Sequence, residues 1–213
     1  MQLDYVTASK YIFMFNRVKK LYGQYHTDRL LESISPNQVT HKLWLVENLP
    51  AAILRESIRI EIVGSWFGWP LVDMLLKKYN RFPVYITLYD IDAMACTIAQ
   101  EYSKLWQTTG FVTVKNQDYF KDSRKRAADI VINCSAEHMM ETFEDTKDYY
   151  TNTPLFAVQS NNHVSDPEHI NPVNSINALR DLYNFKEVVF LGSKAFVDTG
   201  TSSNERFMIF GGY

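Results

Sequence analysis

The chain is poor in several features that would narrow its class at once. It carries two cysteines in 213 residues, Cys96 and Cys134. That is too few for a disulfide framework, and their separation matches neither CxxC nor any other zinc-ligand spacing. Both are expected to be free thiols packed near strands and helices. No run approaches the roughly 18 apolar residues of a membrane span. The opening, with Asp4 early and only Tyr11–Phe15 as an apolar stretch, lacks the order of a signal peptide. A cytoplasmic location is therefore expected. Neither sign of charge dominates: 22 Lys and Arg face 24 Asp and Glu, a net −2, which gives no global attraction to nucleic acid. The one basic run, Lys121–Arg126 (KDSRKR), reads as a solvated loop. Internal repeats and low-complexity linkers are missing too, and the length suits one well-cored domain with a modest extension.

What is present changes rhythm near residue 57. Before it, apolar residues recur at helical spacing: Tyr5, Tyr11, Ile12, Phe15, Val18 and Tyr22, then Leu30 and Leu31. Ser35-Pro36-Asn37 announces a third helix, with Ser35 as N-cap and Pro36 in the first turn. It carries Val39, Leu43, Trp44 and Val46 and stops at Pro50. Residues 1–57 are thus read as a helical cap belonging to the same domain as residues 58–213.

From residue 58, short β-branched runs alternate with helical stretches, the mark of an α/β domain with a mostly parallel sheet. Seven strands are predicted: Ile58–Val63, Val84–Tyr89, Phe111–Val114, Asp129–Asn133, Leu155–Gln159, Glu187–Leu191 and Arg206–Phe210. Helices are predicted from Trp69 to Tyr79, from Ala93 to Trp106 and from Met139 to Tyr150. Residues Gly192–Asn204 are rich in Gly, Ser and Thr without helical pattern. A parallel crossover needs a dozen or more residues and usually a helix, so the last two strands should form an antiparallel hairpin.

Three features bear on chemistry. Gly64-Ser65-Trp66-Phe67-Gly68 follows the first strand, where glycine permits a sharp turn and close approach to a ligand, and the next helix directs free N–H groups there. The second strand ends in Asp90-Ile91-Asp92, 22 residues past Gly68. An acid at this offset suits the two hydroxyls of a ribose; Asp92 is the better helix cap. Asp118 follows the third strand, where a carboxylate could accept from an adenine amine or simply cap a helix.

This set, with the terminal hairpin, resembles the class I, Rossmann-like S-adenosylmethionine-dependent methyltransferase family over residues 58–213. The resemblance implies Gly64 and Gly68 along the methionine part of the cofactor, Asp90 on the ribose hydroxyls, Ile91 against the adenine and Asp118 on its amine. Ser65, Trp66, Tyr119 and Asn133 complete the expected cofactor set. Two departures stand out. Trp66 occupies the middle position of a turn that usually has glycine at alternate places, and Glu61 is one residue out of register with the family's acid, whose place is taken by Ile62.

On the acceptor side, His138 is a candidate general base because its intrinsic pKa lies near neutrality. The alternative is that Ser135 caps a helix with Glu137 in its first turn and His138 merely packed. Glu137, Gln159, Asn161 and Trp44 are candidate substrate contacts, and Glu168 and His169 could extend the same rim. The His and Glu residues of these loops show no recognisable ligand spacing, and no metal is expected. The resulting expectation is a methyltransferase that binds S-adenosylmethionine and acts on an unidentified acceptor. A small molecule is preferred as acceptor over nucleic acid, and no membrane is expected as partner. A protein that binds S-adenosylmethionine without transfer, a nicotinamide-dependent oxidoreductase and a non-enzymatic interaction module remain open at this point.

Overall fold

The computed structural model describes residues 5–51, 56–104, 111–195 and 204–213. Three helices open it: α1 (Tyr5–Tyr22), α2 (Gln24–Glu32) and α3 (Pro36–Asn48). Seven strands and three further helices follow in the order β1 (Ile58–Val63), α4 (Leu71–Lys78), β2 (Val84–Asp90), α5 (Ala93–Lys104), β3 (Phe111–Asn116), β4 (Ile130–Asn133), β5 (Leu155–Asn161), α6 (Ile176–Tyr183), β6 (Glu187–Ala195) and β7 (Glu205–Gly212). The sheet runs β3-β2-β1-β4-β5-β7-β6. Strands β1 to β5 are mutually parallel, and β7 lies antiparallel to both β5 and β6. The predicted hairpin is therefore present, and both of its strands reach further toward the connecting loop than predicted; residues 196–203 lie outside the described residues.

Alternation along the strands divides the core into two layers. Ile58, Ile60 and Ile62 face one side with Leu88, the apolar faces of α4 and α5, and Met14, Val18, Leu30 and Leu45 of the opening helices. The helices before β1 thus share one continuous core with the sheet. Val63, Tyr89, Val131 and Val158 face the other side, against Phe143, Tyr150, Leu179 and Tyr183. Strand order reverses between β1 and β4, which opens the crevice of a doubly wound sheet at their carboxyl ends.

Helix α3 begins as the sequence dictates, with the Ser35 side chain accepting from the Gln38 N–H and Pro36 in the first turn. Three other helical expectations need correction. Residues 139–150 do not form one helix: a 3-10 turn at Ala136–His138 precedes the segment, which itself holds two more at Phe143–Asp145 and Lys147–Tyr149. Thr142 and Asp145 form a reciprocal cap across the middle turn, and the Thr146 hydroxyl bonds the Phe143 carbonyl. These local side-chain bonds compete with α-helix propagation around the middle turn. The helix after the glycine turn starts later than predicted, at Leu71 with Pro70 as its N-cap. Helix α6 was not predicted, although Ser175 caps it, Asn184 ends it in the left-handed conformation at φ 44°, and Leu179 and Tyr183 are buried four residues apart. Helix α5 is described to Lys104, and Trp106 lies outside the described residues.

Candidate functional site

The turn after β1 takes the left-handed conformation at three alternate positions: Gly64 (φ 59°), Trp66 (φ 52°) and Gly68 (φ 71°). The alternate-glycine geometry is thus kept with a tryptophan in the middle, at a steric cost of roughly 1–2 kcal/mol for a residue with a Cβ. Two contacts hold Trp66 there. Its backbone N–H donates to Asp90 Oδ2 at 2.6 Å, and its ring stacks on Phe67 with the Arg29 guanidinium 5.8 Å above. Arg29, from α2, also pairs with Asp92 at 3.0 Å, so the opening helices clamp the turn to the end of β2.

Asp90 is the hinge of this edge. Its second oxygen accepts from the Asp92 N–H at 2.9 Å, while the Asp92 side chain caps α5 through the N–H groups of Met94 and Ala95. Each Asp90 oxygen thus has one backbone donor and one lone pair to spare. Burial raises its pKa above the ordinary carboxylate value. Beside it, Ile91 is 77% exposed, a bare apolar side chain at the carboxyl edge of the sheet. The Asn116 amide donates to the carbonyls of Asp90 and Ile91 at 3.1 and 3.0 Å, tying in the end of β3. Asp118 lies just beyond, accepting from the Phe120 N–H and pairing with Lys121, whose hydrogen bond lowers its pKa.

Across the crevice, Asn133 is fully buried. Its amide donates to Met139 Sδ at 3.2 Å and its carbonyl oxygen accepts from the Ser135 N–H. The end of the Met139 side chain lies against Gly64, where a Cβ would collide with its methyl group. Glycine at 64 is therefore favoured by its left-handed φ, while the close contact is with the movable tip of Met139. A ligand entering the crevice must rotate Met139 aside, which its flexible chain allows. Surface clefts beside Val84 and beside Pro154 lie at the opposite, amino-terminal edge, where sheets of this kind do not carry ligands.

Several expected contacts lie elsewhere. Tyr119 is buried beneath the site, its hydroxyl against that of Tyr150 and its ring 4.2 Å from the Arg126 guanidinium, which leaves it no face for a cofactor. Trp44 packs edge-on against Phe190 of β6 at 6.2 Å, as part of the core. Gln159 donates to the His41 carbonyl at 2.9 Å and so anchors α3 to β5. Asn161 is spent on Glu137 Oε1 at 2.6 Å and the His163 N–H. Glu137 is buried, held also by Arg206 at 3.2 Å, and its Oε2 has no partner. These three polar side chains are buried at the carboxyl ends of β4 and β5, whereas His138 and Glu168 of the expected acceptor rim are exposed.

Two residues have surroundings that the sequence did not reveal. Glu61, displaced from the family's register, points to the second core layer, where Tyr150 donates to it at 2.7 Å and Tyr89 at 3.3 Å, with Arg126 at 3.9 Å. The KDSRKR run is accordingly not all solvated: Arg126 is buried, and Arg124 pairs with Asp122. The other is Lys42, from α3. Burial pushes its pKa down to about 8, with Cys134 and Arg206 nearby, while burial pushes Cys134 up to about 11. Both cysteines are free.

No protein-family model and no curated protein matches the chain. Solved structures do. CurJ carbon methyltransferase superposes with TM-score 0.62 at 13% identity, over 92% of this chain and 61% of its own. The N-methyltransferase NodS from Bradyrhizobium japonicum WM9, in complex with S-adenosyl-L-homocysteine, gives 0.62 at 10% identity over 93% and 98%. A sarcosine dimethylglycine methyltransferase from Galdieria sulphuraria gives 0.56 at 15% over 74% and 64%. The chain thus spans less than two thirds of two of these relatives and nearly all of the third. With its strand order, terminal hairpin and left-handed turn after β1, this chain has the Rossmann-like fold of the class I S-adenosylmethionine-dependent methyltransferases.

Proposed function

We propose that the chain binds S-adenosylmethionine at the carboxyl ends of β1, β2 and β3 and transfers its methyl group to an acceptor held beside β4 and β5. One observation carries this reading. Asp90, fixed by the Trp66 and Asp92 N–H groups, keeps a free lone pair on each oxygen directly beside the bare side chain of Ile91. A ribose diol and the adenine joined to it need that pair of neighbours. Asp118 takes the adenine amine, and the Gly64–Gly68 turn lines the methionine end. When bound, the cofactor supplies an electrophilic methyl on sulfonium sulfur; the chain supplies proximity and alignment, which need no nucleophilic residue. His138 is placed to take a proton from the acceptor, because its Nδ1 is bonded to the Glu168 carbonyl and its Nε2 is left as the acceptor atom. The helix α3, with Lys42, roofs the acceptor side. A small acceptor bearing a proton on its nucleophilic atom fits the buried polar groups at the carboxyl ends of β4 and β5.

Calorimetric titration with S-adenosylmethionine, S-adenosylhomocysteine and NAD tests the reading. Binding of both sulfur nucleosides and not NAD is expected; binding of NAD alone would sink it.

A further inference from the structure

Glu137, His138 and His169 come together on the rim of the acceptor side, with one donor atom from each within 4.8 Å of the others. The first two leave β4 in a 3-10 turn, and His169 comes from the long loop after β5. Their chemistry is that of a ligand set. His138 Nδ1 lies 2.9 Å from the Glu168 carbonyl and His169 Nδ1 lies 2.6 Å from the His163 carbonyl. A carbonyl oxygen only accepts, so each Nδ1 carries a proton, and in the neutral imidazole each Nε2 presents a lone pair. Metal-binding histidines are fixed in this way by their second ring nitrogen. Glu137 is 2% exposed; Oε1 is occupied by Asn161 and Arg206, while Oε2 is buried without a hydrogen-bond partner. An orphaned carboxylate oxygen inside a protein is costly unless something cationic meets it. His169 Nε2 also stands 3.6 Å from Asp166 Oδ2. With the proton on Nδ1, that contact sets a lone pair against a carboxylate, and a cation between them relieves it.

We infer that Glu137, His138 and His169 bind a divalent transition-metal ion through Glu137 Oε2 and the two imidazole Nε2 atoms, with Asp166 as an additional carboxylate beside it. Two imidazoles and a carboxylate favour zinc, cobalt or ferrous iron over magnesium or calcium, and three protein ligands leave positions open to water or an incoming oxygen donor. Arg206 does not block the site, since it approaches the other oxygen of Glu137. The site stands whether or not the chain transfers methyl groups, because none of its residues belongs to the nucleoside edge. In the metal-loaded protein His138 is a ligand, and its lone pair is not available to a base.

The test uses tag-free protein and the metal ion alone. Co2+ titrated into the chelator-treated wild type should produce visible ligand-field bands, and Zn2+ should displace it at one equivalent. Loss of an outer-shell partner typically weakens such sites by about 10–100-fold, so loss of a direct ligand in His138→Ala or His169→Ala should cost at least as much. The double variant should show no bands, with His26→Ala, on α2, unchanged. Thermal melts of the apo proteins check folding; His138 is exposed, so its removal leaves the core intact. Absence of Co2+ and Zn2+ binding to the wild type would overturn the inference. Wild-type affinity retained in the folded His138→Ala or double variant would overturn it equally.

Discussion

Acid should loosen α3 from the sheet, and one histidine sets the window. His41 is 3% exposed at the point where its carbonyl receives the Gln159 amide from β5. Burial lowers its pKa from 6.5 to about 4, helped by the charges of Arg206 and Lys194 and opposed by the carbonyls of Ala195 and Asn37. The unfolded chain therefore binds a proton at this residue over a range in which the folded chain does not. Stability is full above pH 6.5 and declines as pH falls toward 4, where the loss levels off at about 3 kcal/mol; at pH 5 it is about 2 kcal/mol. For a chain of this size that is a fall of about 4–8 °C in melting temperature. Other groups titrate in the same range. Asp73 and Asp90 have raised values and act with the opposite sign, gaining stability as pH falls. The informative quantity is thus the difference between the wild type and His41→Gln. Urea unfolding at pH 7.5 and pH 5.0 should show the wild type losing about 2 kcal/mol more than the variant across the interval. Parallel losses in the two proteins would refute the assignment of a neutral buried imidazole to His41.

Glu61→Leu should destabilise the fold by about 3–5 kcal/mol in the same assay, because it leaves the buried Arg126 guanidinium without one of the two carboxylates that stand 3.9 Å from it; a change below 1 kcal/mol would show that the tyrosines and Asp122 alone suffice for Arg126. Ile91→Ala should leave the melting temperature unchanged, since the side chain is almost bare, yet weaken S-adenosylmethionine by about 1 kcal/mol, a factor of about five, through the apolar area it no longer covers. Unaltered affinity would remove Ile91 from the adenine site.

The central strands were legible because β1, β4 and β5 are β-branched or aromatic runs buried on both faces, and such runs have few alternatives to the interior of a parallel sheet. The hairpin followed from the absence of any crossover helix before Arg206. The gathering of the proposed nucleoside edge was legible for a similar reason: Gly64, Gly68, Asp90 and Ile91 lie at the ends of adjacent strands, so sequence order alone carries them to one place. The acceptor side was not. Gln159 and Asn161 were read as substrate contacts because they end β5, and Glu137 because it follows β4, but the fold spends them on α3, His163 and Arg206, partners that no spacing in the sequence identifies. His138 and His169 are 31 residues apart and meet only because the loop after β5 folds back over the end of β4. Tyr119 follows Asp118 in the chain yet turns into the opposite layer, where Arg126 and Tyr150 enclose it. The break of residues 139–150 into short turns was foreshadowed by Thr142, Asp145 and Thr146, whose side chains compete for the backbone.

The central claim is a nucleoside site built on Asp90. Calorimetric titration of S-adenosylmethionine into the wild type, Asp90→Asn and Asp90→Ala tests it most directly, with thermal melts to confirm that the turn at Trp66 still folds. The account expects micromolar-range binding by the wild type, a clear loss in Asp90→Asn, which keeps one acceptor oxygen for the backbone, and near-complete loss in Asp90→Ala. Equal affinity in all three folded proteins would contradict it and place the nucleoside elsewhere.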